Sequence, residues 1–274
     1  MSARAVVRAS AVTALGLLAA GAAGAPAAVL AQAPLVERIA AVRNGTVRFA
    51  YAVREGICGD GESFIRDRSR GENNVTSFDT GTGRDWRYRS CEPGPARVAI
   101  VRENGEVVRI RLYVGGEWAR AVGEVTDLGM VAAPAAARAL IAIARGQGRS
   151  DRAIFAATIA DSAEVWPDLL ALAKDDGISK SVRKDAVFWL SQYAGDAATR
   201  GLADLAEDEK EDRDVREQAV FALSQLRHDE GVPILIRIAR SNRDPSVRRK
   251  ALFWLGQSDD PRALRLFEEI LTAK

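Results

Sequence analysis

The apolar positions in the C-terminal third of the chain follow a helical pattern that recurs at a fixed interval. Segments anchored on Val182, Val215 and Val247 lie 33 and 32 residues apart, and each carries apolar residues four and eight positions after its valine. This spacing places the apolar side chains on one face of a helix. A period of this size is typical of stacked helical repeats, in which each unit buries its apolar face against its neighbours.

The repeat pattern predicts a solenoid over residues 131–274, made of a half-unit at 132–145 and then four helix pairs. The position of Trp189 alternates in size across the four units, reading Ala156, Trp189, Ala222 and Trp254. We interpret this alternation as close packing between adjacent units, with a ligand-binding tryptophan pair as the alternative. The residues predicted to form the repeat core are Val182, Ala186, Trp189, Leu190, Val215, Ala219, Leu223, Val247, Ala251, Trp254 and Leu255.

One phenylalanine in each unit lies away from the core-facing arc of the predicted helix. These candidate partner-binding residues are Phe155, Phe188, Phe221 and Phe253. If all four lie on the outer face, they form an apolar ladder of the kind that marks a partner-binding surface. The alternative is a rotated helix that buries each ring against its partner helix or the next unit.

Before the repeats, the pattern changes from helical spacing to alternation. The segment Thr46 to Arg54 alternates apolar and polar side chains, as a half-buried strand does. Further on, two alternating runs flank Asn104-Gly105, the sequence favoured by a tight hairpin turn. The sequence therefore predicts a mainly α protein, in which a small β-rich (α+β) domain over 34–130 precedes the helical repeats.

The N-terminus has the composition of a secretory signal peptide. Arg4 and Arg8 precede an Ala-rich apolar run, and the first acidic residue is Glu37. We expect residues 1–31 to be removed on export to the periplasm or cell envelope, leaving no stable membrane insertion. The alternative is an uncleaved anchor.

The predicted export to an oxidising compartment favours a disulfide between the only two cysteines. After export, Cys58 and Cys91 are expected to form a disulfide rather than a metal or redox pair. They bracket the polar stretch 59–90, which either carries recognition or is merely tolerated.

The net charge and the absence of known catalytic and metal-binding motifs reduce the number of possible functions. The chain has 39 basic and 37 acidic residues, and it becomes formally neutral without Arg4 and Arg8, so we predict no nucleic-acid partner. No catalytic constellation is present, and the single histidine, His228, has no expected catalytic role. No metal-ligand spacing occurs, so we predict no metal and no cofactor. The acidic run 207–214 is expected to form a solvated loop, with weak calcium or partner binding as the alternative.

A recurring motif, x-V-R-x-x-A-x-x-x-L-(G/S), identifies a family resemblance. The motif occurs three times, with its valine at Val182, Val215 and Val247. It resembles HEAT repeats of the short bacterial type also found in phycobilisome-lyase-like proteins. The resemblance covers somewhat under half of the chain. It implies stacked antiparallel helix pairs and protein binding.

The resulting hypothesis is a non-enzymatic scaffold of the cell envelope that binds another, unidentified protein through its solenoid. One alternative is a lyase-like enzyme, or an accessory subunit of an envelope enzyme, acting on a chromophore-like or peptide substrate. Another is a structural component that self-associates through the phenylalanine ladder.

Overall fold

A computed structural model describes most of the chain after the predicted leader. The predicted signal peptide at 1–31 and most of the polar stretch 59–90 lie outside the described residues. The described residues are 33–62, 64–68, 75–77, 91–118, 123–146, 150–192 and 195–272.

A four-stranded sheet forms the N-terminal part of the fold. After a short helix, α1 (Leu35–Ala41), its strands are β1 (Gly45–Tyr51), β5 (Ala96–Glu103), β6 (Glu106–Val114) and β7 (Val125–Met130), in the spatial order β6-β5-β1-β7. The predicted hairpin is confirmed: β5 and β6 pair antiparallel around Asn104 and Gly105, which both have positive φ. The alternating side chains of β1 and β5 bury Val47, Phe49 and Val98 in the core.

A smaller antiparallel sheet carries the disulfide. Its strands are β2 (Ile57–Gly59), β3 (Phe64–Asp67) and β4 (Val75–Ser77). Asp60 closes the turn between β2 and β3, because its Oδ1 accepts the amides of Glu62 and Phe64 at 2.9 and 3.1 Å. The predicted bond between Cys58 and Cys91 is confirmed, and it joins the first strand of this sheet to the segment that leads into β5.

The rest of the described chain consists of helices in two layers. One layer holds the helices that carry the repeat motif, here called the motif helices: α3 (Ser150–Thr158), α5 (Lys180–Leu190), α7 (Arg213–Ser224) and α9 (Pro245–Leu255). The other holds α2 (Ala133–Arg145), α4 (Trp166–Lys174), α6 (Asp196–Glu207), α8 (Val232–Ser241) and α10 (Pro261–Thr272), and a short 3-10 turn, Arg227–Asp229, follows α7. Successive members of each layer pack on one another.

The pairing of these helices differs from the predicted division into units. The packing is most extensive between α2 and α3, α4 and α5, α6 and α7, and α8 and α9. The predicted half-unit at 132–145 is therefore the first helix of a pair. The sequence repeat set the period correctly, but a period alone does not fix where a unit begins.

Hydrogen bonds join the sheet to the first motif helix. The hydroxyl of Tyr51 donates to the carbonyl of Ala156 at 2.6 Å, and the amide of Asp161 donates to the carbonyl of Ala52 at 2.9 Å. One hydrophobic core runs without a break from α1 and the sheet to α10, and Pro34–Lys274 forms a single compact unit. Among the motif helices, the sheet therefore packs most extensively on the first, α3.

The strand β7 was not predicted. It pairs parallel to β1 at the edge of the sheet, and none of its residues is fully buried. An edge strand without a buried face lacks the alternation by which strands are recognised. Within the described ranges, every helix is too short or too polar to span a bilayer.

We expect the Tyr51→Phe variant to fold with a free energy of unfolding lower by about 1–3 kcal/mol, because the buried carbonyl of Ala156 loses its donor. Burial raises the pKa of the Tyr51 hydroxyl. In the unfolded chain the Tyr51 hydroxyl ionises near the ordinary tyrosine pKa of about 10. Its contribution to the free energy of unfolding is therefore complete below that pH and is lost as pH rises above it.

Urea unfolding of wild type and Tyr51→Phe between neutral pH and alkaline pH checks both expectations. The variant should lose less stability than wild type above pH ~10. Parallel pH profiles for the two proteins would contradict the buried hydroxyl.

Candidate functional site

The predicted core residues of the repeats lie between the two helix layers. Only Trp254 remains partly exposed, and the others are buried: Val182, Ala186, Trp189, Leu190, Val215, Ala219, Leu223, Val247, Ala251 and Leu255. The motif helices begin where capping residues occur in the sequence. Asp212 and Asp244, for example, accept the amides of Asp214 and Ser246 through their side chains.

The tryptophans of the repeat organise two aromatic stacks. Trp189 lies between Phe155 of the preceding motif helix, at 4.9 Å between ring centroids, and its neighbour Phe188, at 5.1 Å. Trp254 lies in the same way between Phe221 and Phe253, at 5.0 Å from each. In both stacks the neighbouring phenylalanine meets the tryptophan edge-on, and the one from the preceding helix is tilted against it.

Exposure of the four phenylalanines follows from these stacks. Phe155 is buried because Trp189 covers it, and Phe221 is partly buried beneath Trp254. Phe188 is 36% exposed and Phe253 is 56% exposed.

The next unit explains this difference. The residue at the tryptophan position after Phe188 is Ala222, which is too small to cover a ring. A continuous ladder of four exposed rings is therefore not formed: the structure presents two rings, two units apart.

Two of the three recurrent glutamines, Gln192 and Gln225, support the ends of their motif helices indirectly. The hydroxyl of Ser191 donates to the carbonyl of Phe188 at 2.6 Å, and Gln192 donates to that hydroxyl at 3.0 Å. Ser224 and Gln225 repeat the arrangement on the carbonyl of Phe221. The serine hydroxyls therefore cap the carbonyls beside the aromatic stacks, and the glutamine amides hold those hydroxyls.

The motif arginine has a structural role that sequence reasoning did not assign. Arg183 is buried, donates from Nε to the carbonyl of Ala173 at 2.9 Å, and forms an ion pair with Glu211. Its equivalent, Arg216, donates to the carbonyl of Ala206 and pairs with Asp244 at 3.4 Å. Each arginine thus ties the end of its partner helix to the loop of the following unit. The signal in the sequence was an arginine that directly follows the buried valine in each copy of the motif.

Asp244 contributes to both the cap and this ion pair. The amide of Ser246 holds the pKa of Asp244 below its ordinary value, and Arg213 and Arg216 act in the same direction. The carboxylate that begins α9 is thereby kept charged, and it links α9 to α7.

The acidic run at 207–214 is bound to its neighbours by ion pairs. Lys180 of α5 contacts Asp212 and Asp214 at 2.9 and 3.0 Å. On the other side, Glu207 and Glu209 pair with Arg237 and Arg243 at 2.8 and 3.2 Å, respectively. The run therefore serves as a connection between consecutive units, rather than as a purely solvated loop.

A polar cavity of about 320 Å³ lies beside this run, between the ends of α6 and α8. Its charged lining residues include Glu207 and Arg237, and the hydrogen bond that Arg237 donates to the Glu207 carboxylate raises the pKa of the guanidinium. Among the described residues, no group of three or more His, Cys, Asp or Glu side chains is placed to hold a metal ion. His228 falls in the 3-10 turn, and its side chain lies outside the description.

The arrangement offers a surface rather than a pocket. Phe188 and Phe253 project from α5 and α9, and each ring is supported by a tryptophan. We call the exposed side of α5, α7 and α9 that carries these two rings the motif-helix face. It can take up apolar groups of another molecule without rearranging the core.

A comparison with protein families agrees with the repeat motif. The family model described as HEAT repeats matches residues 199–274, which extend from within α6 to the end of the chain. A search of curated proteins finds no match.

We expect Trp189→Ala to lower the free energy of unfolding by about 3–5 kcal/mol, because it empties the centre of the first aromatic stack. Phe188→Ala, on the same helix, should cost less, since the Phe188 ring is already 36% exposed, whereas Trp189 is buried. Chemical denaturation of both variants provides the comparison. Equal losses would show that Trp189 does not support the stack.

We expect Arg183→Met to lower the free energy of unfolding by about 3–5 kcal/mol, because it leaves Glu211 buried without its counter-ion. The exposed pair of Arg243 and Glu209 provides a control, since Arg243→Met should cost at most about 1 kcal/mol. Replacing both Arg183 and Glu211 by Met should recover part of the loss. If the two single variants melt alike, the buried pair does not link the units.

Proposed function

We propose that this protein is a non-enzymatic scaffold whose HEAT-type solenoid binds another protein through the motif-helix face. HEAT repeats commonly mediate protein–protein interaction, and the match over residues 199–274 supports this class of function. The repeating helices and their continuous core support extension of the solenoid back to α2. The short bacterial type, inferred from the motif, is part of the same proposal.

The observation that carries the proposal is the exposure of two supported aromatic rings. Phe188 and Phe253 expose large apolar side chains, although the same helices bury Val182 and Val247 completely or nearly so. Their contacts with Trp189 and Trp254 restrict the rings before any partner arrives. A restricted ring loses little conformational freedom on binding, which favours its use as an anchor.

The spacing of the rings defines the partner. Motif helices that pack directly are about 8–10 Å apart, so two rings two units apart are separated by about 16–20 Å. An extended segment of about five or six residues spans that distance. The partner is therefore a protein that presents two apolar groups at this separation, on one strand or on two neighbouring elements.

We place this binding in the cell envelope. The composition of residues 1–31 supports export, and the bond between Cys58 and Cys91 is of the kind that persists in an oxidising compartment. The disulfide stabilises the part of the fold that covers the first motif helix, which suits a protein that must remain folded outside the cytoplasm.

The charges of the polar cavity are used within the fold, and this supports a non-enzymatic role. Catalytic acids and bases are held ready for a substrate, whereas Glu207 and Glu209 of the cavity are each paired with an arginine. The same ion pairs link α6 to α8 and to the loop that follows it. We therefore assign the cavity a structural role.

Affinity capture with matched variants tests the proposal. The tagged chain and a Phe188→Asp/Phe253→Asp variant are each incubated with a detergent extract of envelope proteins, and bound proteins are identified by mass spectrometry. Val108→Asp provides the control, because Val108 is 38% exposed and belongs to β6, not to the helices α5, α7 and α9 that form the motif-helix face. Circular dichroism melting establishes that all three chains are folded.

Wild type and the Val108→Asp variant should enrich the same protein, and the phenylalanine variant should lose it. Recovery of that protein by the phenylalanine variant would exclude this face as the binding site. Absence of any protein enriched by wild type over the tag alone would count against the scaffold.

A further inference from the structure

Two junctions between consecutive motif helices show what this fold places on the motif phenylalanine. At the junction of α3 with α5, the indole of Trp189 covers Phe155, and the ring centroids are 4.9 Å apart. At the junction of α7 with α9, Trp254 covers Phe221 at 5.0 Å. In both places the phenylalanine of the earlier helix is tilted against an indole from the next one. The fold therefore places an aromatic ring at this position twice.

The middle junction, between α5 and α7, lacks the indole. Its two motif helices also pack directly on each other, but Ala222 occupies the position of the two tryptophans. As a consequence Phe188 is 36% exposed, whereas Phe155 beneath Trp189 is 3% exposed. The exposed part of Phe188 is thus the surface that an aromatic side chain covers at the other two junctions.

The second exposed ring, Phe253, offers no such comparison. It lies on α9, and no motif helix follows α9 in the described part of the chain. Of the two exposed rings, only Phe188 lies between two motif helices, where the neighbouring junctions show what covers the equivalent ring.

The side chains around the exposed part of Phe188 are neutral as a group. On α7, Gln218 and Gln225 lie four positions before and three positions after the alanine, so they flank it on one side of the helix. On α5, Lys184 and Asp185 lie one turn before the phenylalanine and carry opposite charges. The surroundings provide hydrogen-bonding groups without net charge, which favours an uncharged occupant over an acidic or a basic one.

We propose that the junction of α5 and α7 receives an aromatic side chain of the partner protein, laid on the exposed part of Phe188. This assignment rests on the proposed scaffold function, and it names the chemistry of one of the two apolar groups that the partner presents. The incoming ring makes a tilted contact like that of Trp189 with Phe155. It arrives from solvent and does not enter the helix layer. The side-chain amides of Gln218 and Gln225 are available to the backbone of the partner on either side of the ring.

An aromatic group suits this position better than an aliphatic one. Aromatic rings whose centroids are about 4.5–7 Å apart attract each other beyond what their buried area provides, and both indole contacts of the fold fall within this range. The ring of Phe188 is also held in place, because it meets Trp189 edge-on at 5.1 Å. A ring held in this way offers a defined face to a second ring, whereas an aliphatic side chain gains only from the area that it buries.

NMR of the full chain with three amino-acid probes tests the assignment. N-acetyl-tryptophanamide, N-acetyl-phenylalaninamide and N-acetyl-leucinamide are each titrated into isotope-labelled protein, and the side-chain amide signals of Gln218 and Gln225 are followed. The two aromatic probes should shift these signals and should bind roughly 2- to 10-fold more tightly than the leucine probe. The leucine probe is the matched control, because it is apolar but has no ring.

Two substitutions by leucine separate the two exposed rings. Phe188→Leu keeps an apolar side chain but removes the ring, so the preference for aromatic probes at the two glutamines should disappear. Phe253→Leu makes the same change on α9 and should leave that preference unchanged. Thermal melting verifies that both variants are folded.

Three results would overturn the assignment. Equal binding of all three probes would show that the junction accepts any apolar group. An aromatic preference that survives in Phe188→Leu would place the contact elsewhere. Unshifted signals of Gln218 and Gln225 with every probe would show that the junction receives no ring.

The probe titrations and the affinity capture fail independently of each other. A captured envelope protein that depends on the two phenylalanines, together with a junction that ignores the aromatic probes, would overturn this assignment and leave the scaffold standing. Aromatic binding at the junction without any captured protein would count against the scaffold function.

Discussion

Stacking is the constraint on which the described structure depends, because no helix pair in it buries its own apolar surface. The motif helices α5, α7 and α9 place valine, alanine and leucine against their partner helices and leave further apolar surface for the neighbouring units. The core therefore continues from Ile39 near the sheet to Leu266 in α10. Hydrophobic contacts are not directional. Buried ion pairs, such as that of Arg183 with Glu211, add a directional interaction between units. Together they fix which loop follows which helix.

Local patterns predicted more of this fold than long-range ones. The hairpin at Asn104-Gly105, the helical period and the bond between Cys58 and Cys91 follow from neighbouring residues or from a single pair. The edge strand β7 could not be predicted, because its partner lies far away in sequence and its own pattern is irregular. The partner of Arg183 was equally hidden, since Glu211 belongs to the next unit and to a run that resembles a solvated loop.

The candidate surface was predictable in kind but not in extent. The sequence showed four phenylalanines in equivalent positions, and equivalence suggested equal exposure. Exposure instead depends on the residue that the following unit places over each ring, tryptophan for Phe155 and alanine for Phe188. The alternation of Trp189 and Trp254 with Ala156 and Ala222 contained this information. It could be used only once the stacking partners were known.

That alternation also bears on how the array can lengthen or shorten. Phe155, Trp189 and Phe188 form one aromatic group, and Phe221, Trp254 and Phe253 form the next, so the smallest true duplicate is a pair of units. Excising one inner unit would make two tryptophan units, or two alanine units, direct neighbours. Two bulky indoles would then clash, or two methyl groups would leave a void. Chains of this design should therefore gain or lose helix pairs in even numbers.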